Sequence, residues 1–203
     1  MFNCIFTPHC TELLCDKSCP KFVETSYLLE RNGIDFNNPV FKKHCIPVDT
    51  VLDVIEKADG IFYPYVVPKG INTVDAATLF TYSAICTNWK GNQLHCNVYN
   101  LKYSQYIEAT KNSWTTHNES ESLQYMRIWS ESAKILIISG LDYVNFNDYE
   151  AQTLLSLIQN RQTKYQTTIL ICPETGKLVG NDRSSFYNLL SNFLQNARKA
   201  VGK

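Results

Sequence analysis

Apolar residues recur along the chain in two patterns, one typical of buried strands and one typical of helices. After about residue 49, short runs rich in β-branched residues alternate with longer segments whose apolar positions recur every three or four residues. Strands alternating with helices in this way favour an α/β fold with a mainly parallel sheet and helices on both faces. The strand-like runs are IFYPYVV (61–67), HCNVYN (95–100), KILIIS (134–139) and TTILIC (167–172).

The helical segments carry recognisable start and stop signals. In the segment 49–60, Asp49 or Thr50 is expected to cap the helix and Gly60 to end it. Its apolar face is Val51, Val54, Ile55 and Ala58, and the predicted face of the last helix is Phe186, Leu189, Leu190, Phe193, Leu194 and Ala197. The other predicted helices lie in 20–32, 72–89, 102–114, 115–132 and 149–162.

The composition changes along the chain and predicts three parts. Residues 1–33 form a cysteine-rich unit that leads into a short helix, in which Pro20 takes an early position and Gly33 acts as a stop. Residues 34–48 contain two prolines and few periodic apolar residues, so we interpret them as a linker. Residues 49–203 form the α/β domain.

Charge and hydropathy exclude some classes of function. The formal net charge is zero, so no global basic field is available to hold nucleic acid nonspecifically. No apolar run approaches the roughly 20 residues of a membrane-spanning helix, and the N-terminus does not resemble a signal peptide. We therefore expect a cytoplasmic protein that makes no contact with a membrane.

Four of the eight cysteines crowd into the first 19 residues, at Cys4, Cys10, Cys15 and Cys19. Because thiolates held close together repel one another, a shared cation best explains the cluster, and the spacings leave enough chain for a tetrahedral site. Structural zinc is the preferred ligand, an iron–sulfur cluster is the alternative, and unliganded thiols are the third possibility. His9 could replace one sulfur, and the four scattered cysteines fit small buried apolar residues.

Two segments resemble a known family. ESAKILIISGLDYVNFNDYEAQTLLSLIQNRQTKYQTTILIC (131–172) resembles the Walker B to sensor 1 portion of bacterial and phage replicative-helicase loaders, the DnaC/DnaI-like AAA+ ATPases. CDKSCPKFVETSYLLERNGI (15–34) is similar to the cysteine-rich leader of phage-encoded loader-type proteins. The resemblance implies a P-loop NTPase-like (AAA+, RecA-like) domain and a role in the DNA replication of a phage or mobile element. Its implied partner is a replicative helicase or an active loader-like ATPase subunit.

The family's phosphate loop, Walker A, falls on VVPKGINTV (66–74) with most of its chemistry missing. Such a loop wraps the phosphates with backbone N–H groups, neutralises them with a lysine and binds Mg²⁺ through a hydroxyl. Aligning the hydroxyl on Thr73 places Asn72 at the lysine and Ile71 at a glycine. Lys69 and Gly70 lie nearby but precede the turn into the helix. Lys69, Gly70 and Thr73 are therefore the residues left at a degenerate phosphate-loop position.

The other two catalytic positions also depart from the family. Ser139 and Gly140 stand where an acidic pair should follow the Walker B strand, and Asp142 and Asp148 come only later in the chain. Cys172 and Pro173 stand at the end of the sensor 1 strand, and Arg183 lies near the family's C-terminal arginine. Because ATP hydrolysis needs several charge-stabilising groups together, we predict a pseudo-ATPase with no ATP as cofactor.

The resemblance leaves three functions open. The first is an inactive loader-like binding or assembly subunit. The second is an inhibitor, or decoy, that occupies the interface of a host helicase or loader. The third is a divergent ATP-binding helicase loader whose ligands are relocated to residues such as Asp142. Single-stranded DNA is not a favoured partner, since no aromatic stripe is interleaved with lysines.

The cysteine cluster predicts a bound metal in the purified protein. Elemental analysis should find about one zinc per chain, because a tetrahedral site uses four ligands. Substituting Cys15 and Cys19 together with serine should remove the metal, whereas Cys86→Ser should keep it. A brown protein with visible absorbance would instead identify an iron–sulfur cluster, and a metal-free native protein would contradict both metal sites.

Overall fold

The computed structural model describes residues 20–35, 38, 40, 46–87, 89, 90, 93, 94 and 97–201. Cys4, Cys10, Cys15 and Cys19 lie outside these residues, so the metal site stays a prediction. Cys86 and Cys172 are buried, as predicted for the scattered cysteines, and neither is in a disulfide.

Helices and strands alternate along the described chain, as the apolar pattern predicts. In chain order the elements are α1 Pro20–Arg31, α2 Val48–Lys57, β1 Phe62–Val66, α3 Thr73–Thr87, β2 Trp89–Lys90, β3 Gln93–Leu94, β4 Val98–Lys102, α4 Tyr103–Thr116, α5 Glu121–Ser132, β5 Ile135–Ser139, a 3₁₀ turn Leu141–Tyr143, α6 Asp148–Thr163, β6 Thr167–Cys172 and α7 Ser185–Val201. Strands β2 and β3 form a separate antiparallel pair.

The main sheet has the order β1–β6–β5–β4, and all its neighbouring strands are parallel. The predicted α/β class with a parallel sheet is therefore confirmed. In the register, Phe62 pairs with Thr168 and Ile135 pairs with Thr167. Because all four strands run in the same direction, their carboxyl ends meet at one edge of the sheet.

Alternate residues of each central strand enter two different cores. Ile135 and Ile137 pack into one core with α1, α2 and α3, while Leu136 and Ile138 pack into the other with α4, α5, α6 and α7. A strand buried on both faces needs apolar residues at every position, which explains the continuous runs of β5 and β6. The predicted placement of helices on both faces is confirmed.

The strand order creates a switch point between β1 and β6. The chain leaves β1 through α3 on one face and leaves β6 through α7 on the other face. In parallel α/β sheets, the crevice outside the carboxyl ends of two such strands is the usual place for a ligand. The segment after β1, which the sequence predicts to be a degenerate phosphate loop, lies at this crevice.

The outer edge of β4 is covered by one side chain of the segment after α1. The Asn32 side-chain amide donates to the Val98 carbonyl at 3.4 Å, and its oxygen accepts from the Asn100 N–H at 2.7 Å. Asn32 is buried and so satisfies backbone groups that a further strand would otherwise pair with. The contact ties the end of α1 to the sheet.

The helix predicted for the N-terminal unit shares a core with the α/β domain. Leu28 and Leu29 of α1 are buried in the same cluster as α3. Ile34, Val40 and Ile46, from the predicted linker, are buried in that cluster too. The division into 1–33, 34–48 and 49–203 stays a prediction, but within the described residues α1 packs directly on the α/β domain.

Three local expectations differ from the structure. Helix α2 begins at Val48 with Pro47 as its N-cap residue and has no side-chain cap, because Asp49 and Thr50 already lie inside the helix. Leu189 is 52% exposed, because Tyr187 takes a core position on α7 and donates its hydroxyl to the Leu178 carbonyl at 2.6 Å. Helix α3 ends at Thr87, before the short strand β2.

Arg161 is a buried cation that joins several elements of the second core. The guanidinium donates to the Thr168 hydroxyl at 2.8 Å and to the carbonyls of Ser130 at 2.9 Å and Thr167 at 2.7 Å. It also reaches the Lys134 carbonyl at 3.4 Å. Burial lowers the pKa of Arg161 to about 10, because the charged form loses hydration. The residue links α5, α6 and β6 through acceptors that are all neutral.

Replacing Arg161 should destabilise the fold strongly. Arg161→Met keeps an unbranched side chain but leaves two buried carbonyls, of Ser130 and Thr167, and the buried Thr168 hydroxyl without their donor, each worth about 1–3 kcal/mol. We expect the free energy of unfolding to fall by at least about 3 kcal/mol, measured by urea denaturation. Arg183→Met is the matched control, because Arg183 is exposed. Equal stability of the two variants would contradict this role of Arg161.

Candidate functional site

The segment after β1, predicted from the sequence to be a degenerate phosphate loop, forms a tight turn before α3. The Ile71 N–H donates to the Pro68 carbonyl at 3.2 Å, which closes a four-residue turn. Gly70, the third residue of that turn, has φ +78°, the left-handed conformation that a type II turn needs there. Lys69 is exposed, and Ile71 packs against the first core. The backbone therefore folds back on itself at the position where a phosphate loop would wrap around an anion.

The Gly70 N–H already has a carboxylate partner. It donates to Oε2 of Glu174 at 3.3 Å. Glu174 follows β6, in a turn closed by the Gly176 N–H on the Pro173 carbonyl at 2.7 Å. Since β1 and β6 are parallel neighbours, the residues after them meet at the same edge of the sheet. A side chain of the protein thus occupies one backbone donor that a phosphate would use.

A second backbone donor of this loop is also taken. Asn72, at the position of the family's lysine, accepts the Val74 N–H on its side-chain oxygen at 2.7 Å. The amide therefore caps the start of α3, which is a usual role for asparagine. An asparagine used in this way supplies no positive charge to a phosphate.

Thr73 and Asp142 bring a hydroxyl and a carboxylate into contact at the crevice. The Thr73 hydroxyl donates to Oδ1 of Asp142 at 2.9 Å and lies 3.1 Å from Oδ2. Thr73 is buried, whereas Asp142 is exposed in the 3₁₀ turn after β5. In P-loop NTPases, a hydroxyl and a carboxylate placed in this way hold Mg²⁺. The structure therefore brings together Thr73 and the later aspartate that the sequence offered as an alternative ligand.

The local backbone explains why Asp142, and not residue 139 or 140, supplies a carboxylate after β5. Ser139 is buried and donates its hydroxyl to the Asn100 side-chain oxygen at 3.1 Å. Gly140 has φ +73°, and a Cβ there would lie 3.1 Å from the Ser104 hydroxyl oxygen. A side chain at this position would be strained as well as crowded. The chain turns at Gly140, and Asp142 is the first carboxylate to reach Thr73.

The other residues singled out from the sequence lie elsewhere. Asp148 begins α6 and accepts from the Ser184 hydroxyl at 2.7 Å and the Phe186 N–H at 3.1 Å, contacts that lower its pKa. It fastens the start of α7 to α6. The Cys172 thiol is buried, and burial raises its pKa, so it is a poor nucleophile. Arg183 is exposed before α7.

The charges around the start of α3 disfavour an anion. Asp142 and Glu174 both present carboxylates to the turn, and Asp75 lies in the first turn of α3. Lys69 is the cationic side chain of the turn itself. The carboxylates of Asp142 and Glu174 would repel a triphosphate at the turn, whereas the helix N-terminus and Arg198, whose guanidinium lies beside Gly176 after β6, would attract it.

Glu174 is the residue that sequence reasoning missed. No family motif marks it, but its place directly after the β6 run was visible. Once β6 is known to neighbour β1, the alignment of carboxyl ends puts residue 174 beside the turn at residue 70. The missing information was the strand order.

The part of the chain that the structure describes lacks a grouped metal site and a membrane-spanning helix. Within those ranges, no three His, Cys, Asp or Glu side chains are grouped to hold a metal ion. In the same part of the chain, no helix combines the length and apolar character needed to cross a bilayer.

Comparisons with known proteins give one similar structure. No family model matches the chain, and no curated protein matches it. Among solved structures, the crystal structure of the DnaC helicase loader is similar, with 12% sequence identity and a TM-score of 0.47. The match covers 81% of this chain and 88% of that one.

The geometry of the turn predicts that nucleotides do not bind. Titration of Mg·ATP or Mg·ADP into the protein, followed by calorimetry, should show no binding tighter than about 1 mM. The physical reason is that the Gly70 and Val74 N–H groups have partners and that Asp142 and Glu174 repel phosphate. Binding heat that disappears in Thr73→Ala but persists in the control Thr175→Ala would contradict this reading.

Proposed function

We propose that this chain is a catalytically inactive, helicase-loader-like subunit that binds and assembles with other replication proteins of a phage or mobile element. The observation that carries the proposal is the turn at Gly70, whose N–H is bonded to Glu174 instead of being open to a phosphate. The parallel sheet and the strand–turn–helix order support a P-loop NTPase-like domain. The chemistry at Asn72, Ser139 and Gly140 supports a pseudo-ATPase.

The proposed partner comes from the sequence resemblance to helicase loaders. It is a replicative helicase or an active loader-like ATPase subunit. In this proposal the cysteine-rich leader, with structural zinc on Cys4, Cys10, Cys15 and Cys19, forms the docking module. Small metal modules can present a rigid surface without a large core. The α/β domain then acts as a pseudo-subunit, and a decoy that blocks a host helicase or loader would use the same surfaces.

One observation favours a second candidate, a divergent ATP-binding loader. The hydrogen bond from Thr73 to Asp142 places a hydroxyl and a carboxylate as a Mg²⁺ site requires. The candidate also needs a positive group for the phosphates. Lys69 is the nearest in sequence, but it lies within the turn that precedes α3 and does not begin the helix. We therefore place the inactive subunit first.

Binding to a defined partner tests the proposed function. Purified replicative helicase from the host should bind the full-length chain in sedimentation-velocity experiments, equally well with and without ATP. Cys15→Ser combined with Cys19→Ser should weaken binding at least about tenfold if the leader docks, whereas Cys86→Ser should not. A helicase-loading assay then separates an assembly subunit from a decoy by the sign of its effect.

Two results would count against the proposal. If neither purified helicase nor purified loader binds the wild-type chain, the assembly role is wrong. If binding requires ATP and is lost in Thr73→Ala, the divergent loader replaces the inactive subunit.

A further inference from the structure

Arg31, the last residue of α1, is held in a defined orientation on α5. Its guanidinium carbon lies 3.5 Å from the centroid of the Trp129 ring, and its Nε donates to the Tyr125 hydroxyl at 2.7 Å. Stacking on an aromatic face together with a hydrogen bond from Nε restricts the rotamers of the long side chain. The ring of Tyr125 in turn contacts Trp129 and Tyr99. The cation is therefore ordered before any partner arrives.

The ordered cation lies beside an unpaired anion at the mouth of a small cavity. Within the described residues, no acceptor hydrogen-bonds the two terminal nitrogens of Arg31, and no cation forms an ion pair with the exposed Glu30. Both residues line a cavity of about 380 Å³ together with Tyr27 and Tyr125. A guanidinium can donate two parallel hydrogen bonds to one carboxylate. Arg31 can therefore bind a carboxylate of a partner, and Glu30 can bind a cation of the same partner.

Exposed apolar side chains surround this charge pair. Tyr27 is 58% exposed, and Val23, one helical turn earlier on α1, is 47% exposed. On α5, Ile128 is 62% exposed, three residues after Tyr125. We call these six residues the α1–α5 patch: Val23, Tyr27, Glu30, Arg31, Tyr125 and Ile128. Apolar side chains grouped around a polar centre are typical of an interaction surface.

We propose that the α1–α5 patch binds the same patch of a second copy of this chain and forms a symmetric dimer. A two-fold interface uses the same surface on both copies, so every contact between two residues occurs twice, with the copies exchanged. Adjacent charges of opposite sign satisfy this condition, because Arg31 of each copy can pair with Glu30 of the other. The exposed Tyr27 and Ile128 then become buried around the two ion pairs. The inference is independent of the proposed function, since it does not involve the turn at Gly70.

Charge complementarity favours a second copy over a nucleic acid. Arg31 with Tyr27 and Tyr125 could bind a phosphate and stack a base, as in single-strand binding proteins. Glu30 lies in the same cavity and would repel a phosphate backbone, and Glu24 lies exposed on the same helix. A partner must therefore offer a carboxylate and a cation side by side, which this chain itself does.

The size of the patch sets the expected affinity. It consists of six side chains from two helices, fewer than the roughly 20–30 residues that each partner contributes to a standard interface. Interfaces below this size are weak and reversible, so we expect a dissociation constant in the micromolar range. Because exposed ion pairs contribute, the dimer should weaken as the salt concentration rises.

A charge exchange across the patch tests the dimer. Sedimentation equilibrium of the full-length protein should show a monomer–dimer equilibrium at micromolar concentrations. Glu30→Arg should raise the dissociation constant at least about tenfold, because each Arg31 then faces a cation. The double variant Glu30→Arg with Arg31→Glu should recover at least part of the affinity, since the two charges have only exchanged places. Glu56→Arg is the matched control: it makes the same charge change at an exposed residue of α2, outside the patch, and should leave the equilibrium unchanged.

Folding is separated from association by far-UV circular dichroism of each variant. Glu30 makes no ion pair within the described residues, so Glu30→Arg keeps the anchor of Arg31 on Trp129 and should fold normally. A wild-type protein that stays monomeric up to several hundred micromolar overturns the proposal. So does a dimer that Glu30→Arg leaves intact. A monomer whose Arg31 is needed to bind single-stranded DNA or the helicase assigns the patch to that partner and also overturns it.

Discussion

The crevice at the carboxyl edge depends on the parallel pairing of β1, β6 and β5. Val66 pairs with Cys172 in this register, and Ile138 pairs with Leu170. The pairing brings three loops together, so that Gly70, Glu174 and Asp142 become neighbours although they are far apart in the chain. The contacts of Gly70 with Glu174 and of Thr73 with Asp142 follow from this alignment. A slip of one residue would move each strand side chain into the opposite core, where it would meet different neighbours. The packing of the two cores therefore opposes such a slip.

The crevice resembles a nucleotide site in position and differs from one in how its polar groups are used. The Gly70 N–H bonds to Glu174, the Val74 N–H bonds to Asn72, and the Thr73 hydroxyl bonds to Asp142. Groups that bind a phosphate well are donors kept open for it, and satisfied donors offer little gain when an anion enters. These bonds therefore stabilise the start of α3 and its contact with the end of the sheet.

Much of this fold could be predicted from the sequence, because its strands and helices have clear apolar periods. Buried runs such as KILIIS and TTILIC mark strands without ambiguity, and Gly33 and Gly60 end helices as expected. The order of the strands in the sheet could not be predicted from the sequence, and so the contact of Glu174 with Gly70 could not be predicted either. Asp142 was only an alternative in sequence, because the left-handed turn at Gly140 that directs it toward Thr73 is a tertiary feature. Leu189 fits the helical period but is exposed, whereas Tyr187 is buried and donates its hydroxyl to the Leu178 carbonyl.

Measurement of phosphate release tests the central claim most directly, because it shows whether the protein hydrolyses ATP. The full-length protein, loaded with zinc and supplied with Mg·ATP, single-stranded DNA and the helicase, is compared with the same mixture lacking this chain. The account predicts that the chain adds no phosphate release, because Asn72, Ser139 and Gly140 supply none of the required charges. Release that depends on the chain and is abolished by Thr73→Ala or Asp142→Ala would contradict it.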